Sequence, residues 1–188
     1  MLQLFSLLFF PLLAQAALPV GQKLSPLTLS GEEGGLVKGG TWTPKLHEGK
    51  IWTLFYVDPD EKNLNEETVK ALGALPKIPE VTSVAVINLG ATWLPNSIIA
   101  SKLETSQKEH PRTTYVKDVD KKLVKNWNLG DDTYSISLIG PDLTVLYSFD
   151  GKLAAGDTEA LLEKIKTAVV ALTGKSLAQL AEETSSHP

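Results

Sequence analysis

The sequence contains no cysteine in 188 residues. That absence excludes structural disulfides, thiol–disulfide chemistry, thiolate metal sites and a lipid-modified N-terminal cysteine. A surplus of positive charge is missing too. The formal net charge is −4, and a nucleic-acid partner, whose phosphates require a basic face, is not expected. Histidine is scarce. His47, His110 and His187 have no zinc-type spacing with one another or with a carboxylate, and they read as surface residues. No Gly-x-Ser-x-Gly elbow occurs, and no spacing joins a serine, a histidine and an aspartate into a triad. The run from Gly34 to Thr41, GGLVKGGT, places its lysine ahead of the last glycines and so fails as a phosphate loop.

One hydrophobic run stands apart. Met1 to Ala16, MLQLFSLLFFPLLAQA, has no charged side chain and ends in Ala14-Gln15-Ala16. It is shorter than the roughly 20 apolar residues that span a bilayer, and Pro11 breaks it as a buried helix. The pattern is that of a secretory signal cut after Ala16, although its start carries no Lys or Arg. The expected organisation is a signal peptide over 1–16, one domain over 17–174 and a tail over 175–188. The expected location is the periplasm, with no membrane anchor left after cleavage.

The domain reads as alternating strands and helices. Leu27-Thr28-Leu29 and Leu36-Val37 suggest an N-terminal hairpin around glycine-rich turns. Ile51 to Val57 is a continuous apolar run suited to a strand buried on both faces. A helix is expected from Asn63 or Asn65, capped with Glu66 in a box-like arrangement, with Val69, Leu72 and Leu75 inward and Pro76 ending it. Val81 to Asn88 is a second buried strand. Asn96 is expected to cap a helix burying Ile98, Ile99 and Leu103. Thr113 to Val116 is a short strand, and Asp118 or Asp120 caps a short helix containing Leu123, Val124 and Trp127. Ile136 and Leu138 alternate with serines, a turn falls at Gly140-Pro141-Asp142, and Val145 to Phe149 returns. The last long helix is expected from Asp157 or Thr158, with Leu161, Leu162, Ile165, Ala168, Val169 and Leu172 on one stripe and Gly174 as its C-cap. The tail holds about one more helical turn. This order, β-α-β-α-β-α-β-β-α, implies a right-handed parallel crossover and an antiparallel edge hairpin. The fold class is α/β: a thioredoxin-like mixed sheet flanked by helices.

Several motifs sharpen that reading. Asn88 closes a strand and is followed by Ala91-Thr92-x-x-Pro95. Val116-x-Asp118 and Trp127-x-Leu129-x-Asp131 follow, with Asp142 at the hairpin turn and Gly151-x-Leu153 before the last helix. Together, over residues 17–172, they resemble the YtfJ family of exported bacterial proteins. The resemblance implies a thioredoxin-like fold and export, and it supplies no settled activity. A provisional regulator label on some members conflicts with the export signal and the negative charge.

Redox members of the fold carry a Cys-x-x-Cys pair after the first central strand and a cis-proline facing it. Here those places hold Asp58-Pro59-Asp60-Glu61 and Thr133-Tyr134-Ser135, so both halves of a thiol site are gone. Ligands of open α/β sheets bind beyond the carboxyl ends of the strands. The candidate binding face is therefore Asp58, Asp60, Glu61, Thr92, Trp93, Asn96, Thr133 and Tyr134. Asp58, Asp60 and Glu61 either cap a helix start or offer oxygens to a hard cation. The calcium-loop spacing fails because Lys62 and Asn63 fall where a ligand and a glycine belong. Trp93 either stands out as a binding anchor or folds back over the helix that follows, the second being the ordinary outcome. Trp52 and Trp127 lie on elements and pack. No catalytic group, cofactor or metal is assigned. The expected role is a non-enzymatic module that holds an envelope protein or a small ligand. The alternative is a metal-assisted enzyme using the carboxylate cluster.

Overall fold

The computed structural model describes residues 17–186, so the expected signal peptide and His187 lie outside the described residues. Six strands form one sheet: β1 (Gly34–Leu36), β2 (Ile51–Val57), β3 (Val81–Asn88), β4 (Thr113–Asp118), β5 (Tyr134–Ile139) and β6 (Val145–Asp150). Their order across the sheet is β1-β4-β3-β2-β5-β6. β2, β3 and β4 are mutually parallel, whereas β5 is antiparallel to β2, β6 to β5 and β1 to β4. The helices are α1 (Glu66–Gly73), α2 (Asn96–Glu109), α3 (Lys122–Trp127), α4 (Ala155–Thr173) and α5 (Leu177–Ser186). Among the described residues no helix is long and apolar enough to cross a membrane.

β2 is central, and both its faces are covered. Ile51, Phe55 and Val57 join Ile99 and Leu103 of α2 and Leu161, Ile165 and Val169 of α4 in one core. Trp52, Leu54 and Tyr56 enter the other, with Trp42 and with Leu123 and Trp127 of α3. A two-sided burial explains why the run is apolar at every position but Thr53, with no alternation.

Ser135 and Ser137 of β5 are buried and hydrogen-bonded. Ser137 Oγ lies 2.8 Å from Ser148 Oγ, and Ser135 donates to Asp150. The N-terminal segment lies along this hairpin. Leu18 N–H donates to Ser148 Oγ, Gly21 N–H to the Val145 carbonyl and Leu24 N–H to the Leu143 carbonyl.

Several local expectations change. The N-terminal segment closes by an isolated bridge between Leu29 and Trp42. Residues 27–29 do not pair with 36–37; instead β1 adds to the sheet edge at β4, where Gly34 sits opposite Asp118 at φ +135°. A Cβ there would meet the Lys117 carbonyl oxygen at 2.0 Å, so that approach requires glycine. Asn65 precedes α1, but its side chain does not cap the helix. It donates to the Gly151 carbonyl and accepts from Leu153 N–H, tying the start of α1 to the β6–α4 loop. That rotates α1 so that Thr68 is buried against Thr158 and Val69 is exposed.

In α2 the buried stripe runs through Ile99, Leu103 and Gln107, leaving Ile98 exposed. Pro95 takes the position expected of Asn96, which is the first helical residue. α4 begins at Ala155, three residues or so early, because the Asp157 carboxylate reaches back to the Ala154 N–H. Leu172 is partly exposed, and Gly174 caps the helix in the left-handed conformation, as its position implies. The tail forms α5, ten residues long and seated on α4 through Leu177. It is ordered well beyond one turn.

Candidate functional site

β2, β3, β4 and β6 all point the same way, and each ends in, or is followed by, a polar residue. Asp118, Asn88 and Asp58 close three neighbouring strands, and Asp150 closes β6 across from Ser135. The carboxyl end of the sheet therefore carries a polar row, Asp58, Asn88 and Asp118 buried and Asp150 half-buried, made by strands that are otherwise largely apolar.

The row is held by bonds to the loops above it. Asp118 is fully buried. Its Oδ1 accepts from Lys122 N–H at 2.8 Å and its Oδ2 from Leu123 N–H at 2.9 Å, which caps α3. The same Oδ2 accepts from the Tyr56 hydroxyl at 3.2 Å. Burial, and then the charge of Asp118, push the Tyr56 phenol far above its ordinary range, so it remains a donor. Asn88 is fully buried and donates to the Asp131 carbonyl and carboxylate at 3.1 and 2.9 Å. Asp131 in turn pairs with Lys121 at 2.7 Å. Burial alone would raise the Asp131 carboxyl; the bonds from Lys121 and Asn88 outweigh it and hold it below the usual carboxylate range. The bond to Asp131 raises Lys121 correspondingly. Asp150 accepts from Ser135, and burial raises its carboxyl. A Cβ on Gly130 would meet the Asp150 carboxylate oxygens at 2.6 Å, so a side chain there would have to displace the carboxylate.

The expected face divides. Asp58 is 4% exposed; its Oδ1 caps the Asp60 N–H at 2.9 Å at the head of a short 3-10 helix, Pro59–Glu61. Its own N–H donates to the Thr133 carbonyl at 3.0 Å, which extends the β2–β5 ladder by one residue. Burial raises the Asp58 carboxyl, and the charges of Asp60, Asp132 and Glu61 add to this against the opposing Asp60 N–H. Asp58 thus caps, as one reading of the cluster has it, although what it caps is this 3-10 turn and not α1. Among the described residues no group of three or more His, Cys, Asp or Glu side chains is placed to hold a metal ion. Tyr134 is buried edge-to-face against Phe55, 6.2 Å between ring centroids, so it supports the face from beneath.

On the β3 side, Thr92 Oγ1 accepts from Leu94 N–H in a local turn. Trp93 is 86% exposed. It does not fold back over α2: Leu94 packs on the core instead, and Trp93 is directed outward. The Asn96 side chain lies outside the described residues. Asp58 and Thr133 thus meet, with Asp60 and Glu61 beside them. Among the described residues no hydrogen bond or ion pair joins this group to the Thr92–Trp93 loop.

Sequence reasoning missed Asn88, Lys121, Asp131 and Asp150 as parts of this end of the sheet. A signal was present: a polar residue closes each of these apolar strands, and Asp131 sits in the Trp127-x-Leu129-x-Asp131 motif. His47 was also misjudged. It is buried, accepts from the Trp42 indole N–H at 3.2 Å, and packs on Trp52 with ring centroids 5.1 Å apart. Trp42, two residues beyond a glycine pair, hid that partnership.

No family model matches the chain, and no curated protein matches it. Solved structures do. A putative thiol:disulfide interchange protein DsbE from Chlorobium tepidum is 18% identical, covering 80% of this chain and 98% of its own, with a TM-score of 0.51. A putative thioredoxin from Neisseria meningitidis is 19% identical over 80% of this chain and 92% of its own, with a TM-score of 0.56. A putative electron transfer protein from Aquifex aeolicus is 13% identical over 80% and 94%, with a TM-score of 0.57. The chain has a thioredoxin-like fold, built without a single cysteine.

Proposed function

We propose that this protein is a non-redox binding module of the cell envelope. On this reading the carboxyl end of its sheet docks a protein partner at the place where redox relatives of the fold carry their thiols. The observation that carries the reading is Trp93, an indole almost wholly in solvent on the β3–α2 loop. Large aromatic side chains anchor interfaces when a partner desolvates them. The loops around it rest on the hydrogen-bonded row of Asp58, Asn88, Asp118 and Asp150, so the surface is held in place before a partner arrives, which lowers the entropic cost of docking.

Charge supports the same reading. Asp60 and Asp132 are exposed, and Glu61 and Asp131 are half-buried, beside the same end of the sheet. A partner that presents basic residues to this rim would gain in encounter rate and orientation. Export follows from the N-terminal sequence pattern and the resemblance to the YtfJ family, and the similar structures include an exposed lipoprotein thioredoxin of Streptococcus pneumoniae. Lack of catalysis belongs to this proposal as well: the polar side chains beneath the face, Asp58, Asn88, Asp118 and Asp150, are taken up by structural bonds.

The test compares Trp93→Ala and Asp60→Lys with the unaltered protein. Both variants should keep the folded stability and lose association with partners retrieved from envelope extracts. Association equal to that of the unaltered protein in both variants would defeat the proposal.

A further inference from the structure

The opposite end of the sheet holds a second feature that this function does not use. A cavity of about 470 Å³ opens between the C-terminal end of α1, the start of β3 and the end of α2. It falls within the roughly 300–1,000 Å³ usual for small-molecule sites. Its floor is unusual for a sheet core. Thr53 of β2, Ser83 of β3 and Thr113 of β4 stand in register, which sets three hydroxyl residues in a row across three parallel strands. Thr53 is 3% exposed, lines the cavity, and its hydroxyl has no hydrogen-bond partner among the described residues. Elsewhere the same face of β2 is Ile51, Phe55 and Val57. Its oxygen is not one of the sealed polar side-chain atoms left without a partner among the described residues, so it is reached from the cavity and open to a ligand.

The walls are apolar: Leu72, Leu75, Val81 and Ile165. The mouth is cationic. Lys77 and Arg112 stand there against one carboxylate, Glu109. Arg112 is fixed by its own bonds. Its Nη2 donates to the Ile78 carbonyl at 2.6 Å, and its carbonyl accepts from Thr82 Oγ1 at 3.1 Å. A guanidinium has five N–H donors, and no ion pair occupies the others among the described residues.

We propose that this cavity binds a small organic acid with a short apolar body and a distal hydroxyl. The carboxylate lies at Arg112 and Lys77, the apolar body lies between Leu72 and Ile165, and the hydroxyl bonds to the Thr53–Ser83–Thr113 row. Guanidinium and carboxylate match in geometry as well as charge.

4-Hydroxybenzoate and benzoate are the probes, followed by the amide signals of the folded protein in two-dimensional NMR. 4-Hydroxybenzoate should shift the amides of Thr53, Ser83 and Thr113 with a Kd of about 1 mM or tighter. Benzoate, lacking the hydroxyl, should bind about tenfold more weakly. Thr53→Val preserves shape and strand preference. It should weaken 4-hydroxybenzoate about tenfold and leave benzoate unchanged. Arg112→Gln should weaken both probes alike, with signals far from the cavity unmoved as proof of folding. The proposal is overturned if neither probe shifts those amides at about ten times that concentration, if the two probes bind equally, or if either variant binds 4-hydroxybenzoate as the unaltered protein does.

Discussion

Asp118 is the most heavily engaged carboxylate at the functional end of the sheet, and Asp118→Ala should show it. The side chain is fully buried and accepts three hydrogen bonds, from Lys122 N–H, Leu123 N–H and the Tyr56 hydroxyl. Loss of an N-cap costs about 0.5–2 kcal/mol. The Tyr56 hydroxyl, itself fully buried, would lose its partner at a cost of about 1–3 kcal/mol. The sum is about 1.5–5 kcal/mol, a large part of the roughly 5–15 kcal/mol that holds a domain together. Urea unfolding followed by tryptophan fluorescence is a suitable assay, because Trp42, Trp52 and Trp127 are buried. Tyr56→Phe should cost about 1 kcal/mol alone. Combined with Asp118→Ala it should add less than its own single cost, since the orphaned hydroxyl is then gone. A loss below about 1 kcal/mol in Asp118→Ala, or strict additivity in the double variant, would refute the network as described.

Other outcomes follow from the same structure. Burial, with the charge of Lys50 behind it, lowers His47 from 6.5 to about 4. The unfolded chain therefore binds this proton more readily. The stability it contributes is full above about pH 6.5 and falls away as the pH drops toward 4, by on the order of 3 kcal/mol. His47→Gln keeps an acceptor for Trp42 and should flatten that slope relative to the unaltered protein in unfolding titrations; an identical slope would count against it. Gly130→Ala should destabilise by about 1–3 kcal/mol, because the new methyl meets Asp150 at 2.6 Å and Thr133 at 2.2 Å; an unchanged melting curve would mean the loop yields freely. Trp93→Ser should change stability by no more than about 0.5 kcal/mol, as befits a side chain held by the solvent and not by the core.

The fold was legible because its signals are long-range and redundant. The apolar runs of β2 and β3, the Gly140-Pro141-Asp142 turn and the stripe on α4 each dictate one element, and their order leaves few topologies. Details went astray where a side chain serves a partner remote in sequence. Asn65 looks like a cap but bonds to Gly151 and Leu153, 86 and 88 residues away. Ser135 and Ser137 look like an outward face, yet they are covered by the hairpin and the N-terminal segment. His47 reads as a surface residue until Trp42 and Trp52 are brought around it. At the site, strand ends announced a face, but only the structure separates Asp58 and Tyr134, which build it, from Trp93, which is free to contact another molecule.

Site-specific photo-crosslinking in the envelope shows whether the carboxyl end of the sheet docks a partner. A probe replaces Asp60 in one variant, Trp93 in a second and Lys166, on the exposed side of α4, in a third. Positions 60 and 93 should give one discrete product, the same partner, and position 166 none. Crosslinking from 166 alone, or from none of the three, would contradict a binding role for the carboxyl end of the sheet.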